Sequence, residues 1–353
     1  MSITNIVASV VVPIRNEEHY IKSCIESLLQ QDYPAEQLEI LLVDGGSTDK
    51  TCEIIQHYCA QQPHLHLLNN PDRTVPYALN MGIHAARGRF IVIMGAHSTY
   101  ADDYISKCIE CLEETGAENV GGVAQTRSQG FWGEAIALMQ STRFGVGNAA
   151  YRVGAKDGYV DTVPFGAFPR ETFERFGCYD VRLTRNQDNE MNYRIRKNGG
   201  KNYLSNDIKF TYFCRDSISK LIKNGFQNGK WGIITSFLCP GSMSLRHFIP
   251  LLFVLSLLML GLAVWLLPHP FWLYLLLAEL GCYGSLDVAY ALRVSVKSAF
   301  KYFLPLIILY PLFHISYGVG SLRGFLSPIG WGKNSGAGEG LVGPETGERK
   351  DAG

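Results

Sequence analysis

The stretches VVPIRNEE (residues 11–18) and VDGGSTD (residues 43–49) are the most informative about the fold class of this chain. Each begins with the end of an apolar run and then turns abruptly polar. Runs that are apolar at every position are typical of strands in parallel sheets, which helices cover on both faces. The polar residues that follow would lie beyond the carboxyl ends of the strands, where such sheets bind ligands.

Strand-like and helix-like segments alternate through the first 215 residues. The sequence predicts strands at 6–14, 38–43, 64–68 and 90–94, and helices at 17–30, 49–59 and 76–86. This alternation predicts an α/β domain over residues 1–215, with a mostly parallel sheet and helices on both faces. The polar stretches PIRNEE, DGGSTDK and GAHSTY follow the first, second and fourth strands, so they are the candidates for a binding site.

The C-terminal part has a membrane-like composition. Charged residues make up 18% of the 353 residues, against a usual share of about 25%. Residues 248–278 carry no charge, a longer stretch than the roughly 20 residues that span a bilayer. We predict an interfacial amphipathic segment at 216–246, a transmembrane region with about three hydrophobic segments at 247–325, and a disordered tail at 326–353.

Basic residues predict the orientation of these segments. Arg246 and the loop with Arg293 and Lys297 are expected in the cytoplasm, which puts the turn at 268–270 outside. Three complete spans would leave the tail outside, although Arg323 lies just beyond the third segment. The prolines and glycines of that segment leave open that it is broken or re-entrant.

Composition and motifs exclude several classes of function. With 32 basic and 32 acidic residues and no long basic run, nucleic acid is not expected as a partner. The 18 Tyr and 18 Phe exclude disorder for most of the chain. Neither a Walker loop nor a GxGxxG motif is present, which leaves a Rossmann dehydrogenase as a distant alternative.

The second polar stretch already resembles a nucleotide site. Asp44 ends an apolar strand, where its carboxylate is well placed to accept hydrogen bonds from a base or ribose. Gly45 and Gly46 would let a ligand approach the backbone closely.

These stretches together resemble the nucleotide-sugar domain of family 2 glycosyltransferases, which have the GT-A fold. The chain is more closely similar to the succinoglycan-type branch that acts in bacterial exopolysaccharide synthesis. The similarity runs from about residue 8 to 325 and includes the blocks RTVPYALNMGIHAARG (73–88), GYVDTVPFGAFPRETFERFGCYD (158–180), RNQDNEMNYRIRKNGGK (185–201), NGFQNGKWG (224–232) and HISYGVGSLRGF (314–325).

The resemblance implies roles for individual residues. Asp188 matches the catalytic base, with Glu190 as the second choice, and an inverting transfer needs such a carboxylate. The residues implied in nucleotide-sugar binding are Pro13, Arg15, Glu17, Asp44, Gly45, Gly46, Arg73, Asn80, Gly95 and Ala96. Gln227, Lys230 and Trp231 resemble the QxxRW block, with Lys230 where Arg is usual, and would lie near the acceptor and the diphosphate.

The chain departs from the family at its metal motif. Gly95 stands where the first Asp of a DxD-like or Asp-x-His motif is expected, which leaves His97 as the obvious ligand. A single imidazole is a poor site for Mg²⁺, which prefers oxygen ligands. Three interpretations are open: Mg²⁺ or Mn²⁺ is held by His97, the diphosphate and waters, with Asp102 or Asp103 helping; no metal is needed; or the site is impaired.

We therefore expect a membrane-anchored, inverting glycosyltransferase in the bacterial inner membrane, with its catalytic domain in the cytoplasm. The expected partners are a nucleotide sugar (a UDP-sugar first), a polyprenyl-linked saccharide acceptor and membrane lipid. A homo-oligomer or other polysaccharide-synthesis proteins are left open as partners. The alternatives are a processive polysaccharide synthase, transfer of the sugar directly to polyprenyl phosphate, and a non-catalytic scaffold motivated by Gly95.

Overall fold

The computed structural model describes residues 6–154 and 156–327, and it contains one nine-stranded mixed sheet. The strand order is β3-β2-β1-β4-β8-β6-β9-β5, and β7 pairs with β9. The strands are β1 (Ala8–Ile14), β2 (Leu38–Asp44), β3 (Leu65–Asn69), β4 (Phe90–Ile93), β5 (Ser98–Tyr100), β6 (Asn119–Arg127), β7 (Gly158–Tyr159), β8 (Ala167–Pro169) and β9 (Asn202–Phe213). The predicted disordered tail, beyond Ser327, lies outside the described residues.

The first half of the sheet is parallel, as predicted. β1 pairs with β2 and β4, and β2 pairs with β3, all in the same direction. The register places Ile14 opposite Asp44 and Asp44 opposite Asn69. The polar stretches after these strands therefore meet at one edge of the sheet.

The second half of the sheet is mixed, because short antiparallel strands are added there to the predicted, mostly parallel sheet. β8 is antiparallel to β4 and β6, and β5 and β7 are antiparallel to β9. Only β6 and β9 are parallel to each other. β5, β7 and β8 are strands of only two or three residues, and they lie outside the regular alternation of apolar strands and helices on which the prediction rested.

Thirteen α-helices lie in the described part of the chain. They are α1 (Ile21–Leu29), α2 (Thr51–Cys59), α3 (Val75–Ala85), α4 (Tyr104–Thr115), α5 (Gly130–Gln140), α6 (Arg143–Val146), α7 (Ala150–Val153), α8 (Glu171–Phe176), α9 (Gln187–Lys197), α10 (Ile218–Leu238), α11 (Ile249–Leu266), α12 (Pro270–Lys297) and α13 (Phe303–Phe325).

The first helix begins four residues later than predicted. The backbone N–H of Glu17 donates to Thr51 Oγ1 at 2.8 Å, and that of Glu18 donates to Asp49 Oδ2 at 3.2 Å. These bonds tie the segment after β1 to the segment after β2. Glu17 and Glu18 therefore form a turn ahead of α1 instead of its first helical turn.

Two apolar layers fix the sheet. On one face β1 and β2 pack against α1 and α4, with Ile25 and Tyr104 almost fully buried. On the other face they pack against α3 and α9, with Leu79 and Ile195 buried. Because α9 is held by this second layer, the residues at its N-terminus have a fixed position relative to the sheet edge.

The C-terminal helices divide into two groups. α11, α12 and α13 are long and apolar enough to cross a membrane. Only 11% of the apolar window of α11 and of α12 is buried within the protein, against 56% for the third, at Phe300–Phe325. α13 is continuous through Pro311, so it is not broken as its prolines and glycines had suggested. It packs along α10 and α5, where Leu306, Leu309 and Tyr310 are buried.

Candidate active site

The loops after β1 and β2 are joined at the sheet edge. Asp44 is 5% exposed, and its carboxylate accepts hydrogen bonds from the backbone N–H groups of Gly46 and Ser47 and from Ser47 Oγ. Ser47 Oγ in turn accepts from the backbone N–H of Asn16 at 2.8 Å. The Asp44 carboxylate therefore stabilises the loop after β2, at the carboxyl edge of the sheet.

Arg15, Gly45, Gly46 and Arg73 are brought together at the same edge. Arg15 Nη1 donates to the carbonyl oxygen of Arg73 at 3.3 Å. A Cβ on Gly45 would lie 3.4 Å from the Arg73 backbone, and one on Gly46 would lie 3.3 Å from Arg73 Nε. Gly46 also has a φ of 76°, so a side chain there would be strained as well as crowded.

The contacts of Pro13 and Asn80 in the structure are with other parts of the fold. Pro13 lies within β1, opposite Val43. Asn80 Nδ2 donates to the carbonyl oxygen of Tyr179 at 2.8 Å, and its Oδ1 accepts from the Tyr179 N–H at 2.9 Å. Asn80 therefore fixes the chain at Tyr179.

Phe165 fills the space beside Gly95, the residue at which the chain departs from the expected metal motif. Gly95 and Ala96 are buried, and a Cβ on Gly95 would lie 2.6 Å from Phe165 Cζ. Phe165 has a φ of 58°, and its ring packs edge-on against Phe210 at 5.5 Å. A larger side chain at position 95 would therefore require the Phe165 ring to move.

His97 is paired with Glu17. The distance from His97 Nδ1 to Glu17 Oε1 is 3.3 Å, and both side chains are partly buried. The His97 ring also contacts the Tyr212 ring edge-on, with the centroids 5.2 Å apart. This pair links the first sheet edge to the cavity described below.

Asp188 lies in the first turn of α9. The N-cap residue is Asn186, with a φ of 62°, so Asp188 itself is not the cap. No described residue donates a hydrogen bond to the Asp188 carboxylate. Burial raises the pKa of Asp188 from 3.8 to about 7, against the opposite influence of the helix dipole. A pKa near 7 suits a general base at neutral pH.

Glu190 is in a different environment. It is 7% exposed, and its two carboxylate oxygens accept from Nε and Nη2 of Arg194 at 2.9 and 2.8 Å. A carboxylate held in this two-pronged pair is not free to take a proton. Of the two carboxylates considered from the sequence, Asp188 has the position and the environment of a base.

A cavity of about 740 Å³ connects Asp188 to the membrane helices. His97 lies at its polar end, and Phe253, Leu286 and Phe313 from the three membrane-type helices line its apolar end. Of the described residues that line it, one is a carboxylate, Asp188, and five are arginines: Arg143, Arg152, Arg185, Arg215 and Arg246. Such a lining favours an anionic ligand with an apolar portion.

His314 holds the apolar end together. Its Nε2 lies 2.8 Å from the carbonyl oxygen of Phe144, and its Nδ1 lies 2.9 Å from Tyr283 Oη. The carbonyl can only accept, so Nε2 donates to it and Nδ1 accepts from Tyr283. α12 and α13 are therefore bound to the wall of the cavity rather than loosely attached.

The residues predicted to contact the acceptor do not line the cavity, whereas two other residues of the same helix, α10, do. Gln227, Lys230 and Trp231 are partly buried on α10 but do not line the cavity. Asn224 and Asn228, one helical turn apart, line it and accept hydrogen bonds from Arg185 at 3.3 and 2.8 Å. Sequence reasoning missed them, since the helical period alone does not say which face of α10 meets the site.

Backbone strain is concentrated around this region. Four described residues other than glycine have positive φ: Asn16, Arg73, Phe165 and Asn186. The first two lie at the sheet edge, Phe165 lies against Gly95, and Asn186 precedes Asp188. Strained backbone of this kind is typical of functional sites.

The described residues do not form a ready metal site. No group of three or more His, Cys, Asp or Glu side chains in the described part of the chain could hold a metal ion. His97 and Glu17 are the nearest approach to one, and Phe165 closes the position of the missing carboxylate. The residues at this position therefore do not fit the family's metal.

Comparison with known proteins agrees with this geometry. The sequence model described as "Glycosyl transferase family 2" matches residues 9–176. A Methanococcus voltae protein named dolichyl N-acetyl-alpha-D-glucosaminyl phosphate 3-beta-D-2,3-diacetamido-2,3-dideoxy-beta-D-glucuronosyltransferase is 31% identical over 330 residues, covering 88% of this chain and 95% of the relative. The succinoglycan biosynthesis protein ExoA of Rhizobium meliloti is 29% identical, over 70% of this chain and 76% of that protein.

A solved structure has a similar fold. It is the mannosyltransferase PcManGT from Pyrobaculum calidifontis, in complex with GDP-Man and Mn²⁺, with a TM-score of 0.55 and 20% identity. The similarity covers 89% of this chain and 86% of that one. It confirms the predicted GT-A-like fold with C-terminal helices.

Proposed function

We propose that this chain, which belongs to glycosyl transferase family 2 and is a glycosyltransferase, moves a sugar from a nucleotide-sugar donor to a lipid-linked saccharide at a membrane. The observation that carries this proposal is the lining of the cavity, where Asp188 is the one carboxylate among five arginines. A base surrounded by cations suits a reaction whose donor and leaving group are anionic.

The donor site is proposed at the sheet edge. Arg15, Asp44 and Arg73 meet there, next to the glycines at 45 and 46, and would hold the nucleoside and its phosphates. A UDP-sugar is the first donor to test. The pair of Glu17 and His97 would lie where the sugar diphosphate enters the cavity.

The chemistry follows from the position of Asp188. Its carboxylate would take the proton of the acceptor hydroxyl while that oxygen forms a bond to the anomeric carbon. The bond from the anomeric carbon to the diphosphate breaks, and its electron pair leaves with the nucleoside diphosphate. One displacement inverts the configuration of the anomeric carbon. No step is assigned to a metal; Mg²⁺ or Mn²⁺ held by His97 with the donor diphosphate is the alternative that remains to be tested.

The acceptor is proposed to enter from the membrane side. Phe253, Leu286 and Phe313 give the cavity an apolar end formed by α11, α12 and α13. A polyprenyl-linked saccharide has an apolar chain for this end and a hydroxyl to present to Asp188. Anchoring the enzyme at the bilayer raises the local concentration of such an acceptor. Gln227, Lys230 and Trp231 remain predictions for acceptor contacts.

We propose two complete spans, α11 and α12, and place α13 with the catalytic domain. The two spans are almost wholly exposed, whereas the third helix is half buried against α10 and α5. Two spans return the chain to its starting side, so Arg246, Arg293 and Arg323 all lie on the cytoplasmic side. This arrangement removes the conflict that three spans created. A bacterial inner membrane is the proposed location.

The test is turnover by the full-length protein in nanodiscs. A panel of nucleotide sugars is offered with and without membrane lipid extract, nucleoside diphosphate release is measured, and the lipid fraction is separated by chromatography. We expect release that needs one donor and the lipid extract, with one sugar added to a lipid. Long polymer would favour a processive synthase. Donor binding without release under all conditions would contradict the proposal in favour of a scaffold.

A further inference from the structure

We propose that Arg152 and Arg185, and not a resident divalent metal, neutralise the diphosphate of the donor in this chain. The inference rests on the proposed function, because it concerns the donor and leaving group of that reaction. It assigns two binding residues that the predicted nucleotide-binding set did not contain.

The first observation is that the metal position is closed. A Cβ on Gly95 would lie 2.6 Å from Phe165 Cζ, and the Phe165 ring is itself packed on Phe210. A carboxylate at position 95 would therefore need Phe165 to leave. The remaining candidates, His97 and Glu17, are engaged with each other at 3.3 Å, and they are one ligand short of even a three-ligand group.

The second observation is that four of the five cavity arginines have no carboxylate partner among the described residues, and that two of these four, Arg152 and Arg185, are partly buried, whereas Arg143 and Arg215 are exposed. Arg152 Nη1 donates to Gln140 Oε1 at 3.0 Å, and Arg185 Nη1 donates to Asn228 Oδ1 at 2.8 Å. These neutral oxygens orient the guanidinium groups without cancelling their charge. Arg246, by contrast, is paired with Asp161 at 2.8 Å.

Burying an unpaired cation is costly, so the missing partner is expected to be a ligand. Both arginines are partly buried, and burial followed by the neighbouring Arg215 lowers the pKa of Arg185. The side chains stay charged, since arginine does not lose its proton in proteins. An anion in the cavity would offset the burial of both arginines and the repulsion between Arg185 and Arg215.

The third observation places these arginines beside the metal position. The Arg152 guanidinium carbon lies 4.8 Å from the centroid of the Tyr212 ring, and the centroid of the His97 ring lies 5.2 Å from the same centroid. Arg185 is three residues before Asp188 and lines the same cavity. A diphosphate next to His97 would therefore lie in the cavity that both arginines line.

The role in the reaction follows from charge. As the anomeric carbon–oxygen bond breaks, its electron pair stays on the diphosphate oxygen, and the acceptor proton goes to Asp188. Guanidinium groups donate two parallel hydrogen bonds to phosphate oxygens, and these bonds strengthen as charge develops. The same donors hold the nucleoside diphosphate until it leaves.

The test is nucleotide binding to the full-length protein in nanodiscs, measured by calorimetry with UDP and with uridine, in excess EDTA and in Mn²⁺. GDP and guanosine are run as a second pair. We expect the affinity for the diphosphate in EDTA to lie within about threefold of the affinity in Mn²⁺, a difference of about 0.7 kcal/mol in binding free energy. The variants Arg185→Gln and Arg152→Gln should each lower the affinity for the diphosphate about tenfold or more and leave the affinity for the nucleoside unchanged.

Two further variants keep the result interpretable. Arg185→Lys retains the charge but loses the guanidinium group that donates two parallel hydrogen bonds. Its affinity for the diphosphate should therefore lie between those of wild type and Arg185→Gln. Arg89→Gln removes an exposed arginine that pairs with Glu113 far from the cavity, and should bind like wild type. Melting temperatures of all variants show whether each is folded.

Each adverse result has a separate meaning. Diphosphate binding that EDTA abolishes and Mn²⁺ restores would overturn the inference, as would unchanged diphosphate affinity in folded Arg152→Gln and Arg185→Gln. In both cases the nucleotide-sugar function would stand. No binding of any nucleotide or nucleoside, with or without Mn²⁺, would overturn the proposed function and the inference together.

Discussion

Gly229 of α10 lies directly against the backbone of Tyr317 in α13, and a Cβ at position 229 would overlap the Tyr317 carbonyl oxygen. Gly225, Gly320 and Gly324 make similar close approaches along the same two helices. The helix that carries Asn228 is thereby joined to the helix that closes the cavity. This contact supports the proposal that α13 belongs with the catalytic domain.

Gly229→Ala should destabilise the protein. The added methyl group meets backbone and not a flexible side chain, so the two helices must separate, at a cost of about 1–3 kcal/mol. The measurement is the melting temperature in detergent. Gly281→Ala in α12 is the matched control, because nothing lies within 4 Å of its Cβ. Equal melting temperatures for the two variants would show that α10 and α13 are not packed this closely.

Gly95→Asp should lower stability and should not create a metal site. The new side chain would collide with Phe165, and its carboxylate would be buried without partners. The double variant Gly95→Asp/Phe165→Gly should recover stability, since it removes the ring and suits the positive φ at 165. Melting temperatures with and without Mn²⁺ test this. A stable single variant that Mn²⁺ stabilises further would contradict it.

Asp188→Asn should change how stability depends on pH. Because the folded pKa of Asp188 is raised to about 7, its contribution to stability is fully present below its unfolded pKa of 3.8 and is lost as the pH rises through about 7. Asparagine does not titrate. The melting temperature of the variant relative to wild type should therefore increase from about pH 4 to about pH 8. A difference that stays constant over this range would mean that Asp188 has an ordinary pKa.

The turn between α11 and α12 and the end of α13 should label from opposite sides of the membrane. Leu326, after α13, is 73% exposed, and Trp265, near the turn between α11 and α12, is 80% exposed. With two spans, a membrane-impermeant maleimide should reach Trp265→Cys from outside and Leu326→Cys only in inverted vesicles. The parent protein gives the background of the native cysteines. Labelling of both positions from outside would support three spans.

The sequence was sufficient to predict the first sheet edge. Apolar runs followed by polar, Gly-rich turns predicted the parallel pairing, which places Ile14, the residue before Arg15, opposite Asp44. The parallel pairing depends on residues close together in the chain and on apolar patterns that the sequence shows directly. Asp188, by contrast, was singled out by the resemblance, and its role stays a prediction.

The rest depended on contacts between distant segments. Phe165 and Gly95 are far apart in sequence, so nothing in the motif around Gly95 indicated that the Phe165 ring occupies the space beside it. Arg185 opens one of the blocks on which the resemblance rests, whereas Arg152 lies in none of them. That they lack a carboxylate partner is a property of the whole fold, which no local pattern records.

The most direct test of the catalytic proposal is nucleoside diphosphate release by Asp188→Asn in nanodiscs with lipid extract, beside donor binding by the same sample. Glu113→Gln, an exposed carboxylate on α4, is the matched control. We predict that release falls by about 10²–10⁴ while donor binding is retained and the control turns over normally. Release by Asp188→Asn at the wild-type rate would contradict the assignment of Asp188 as the base.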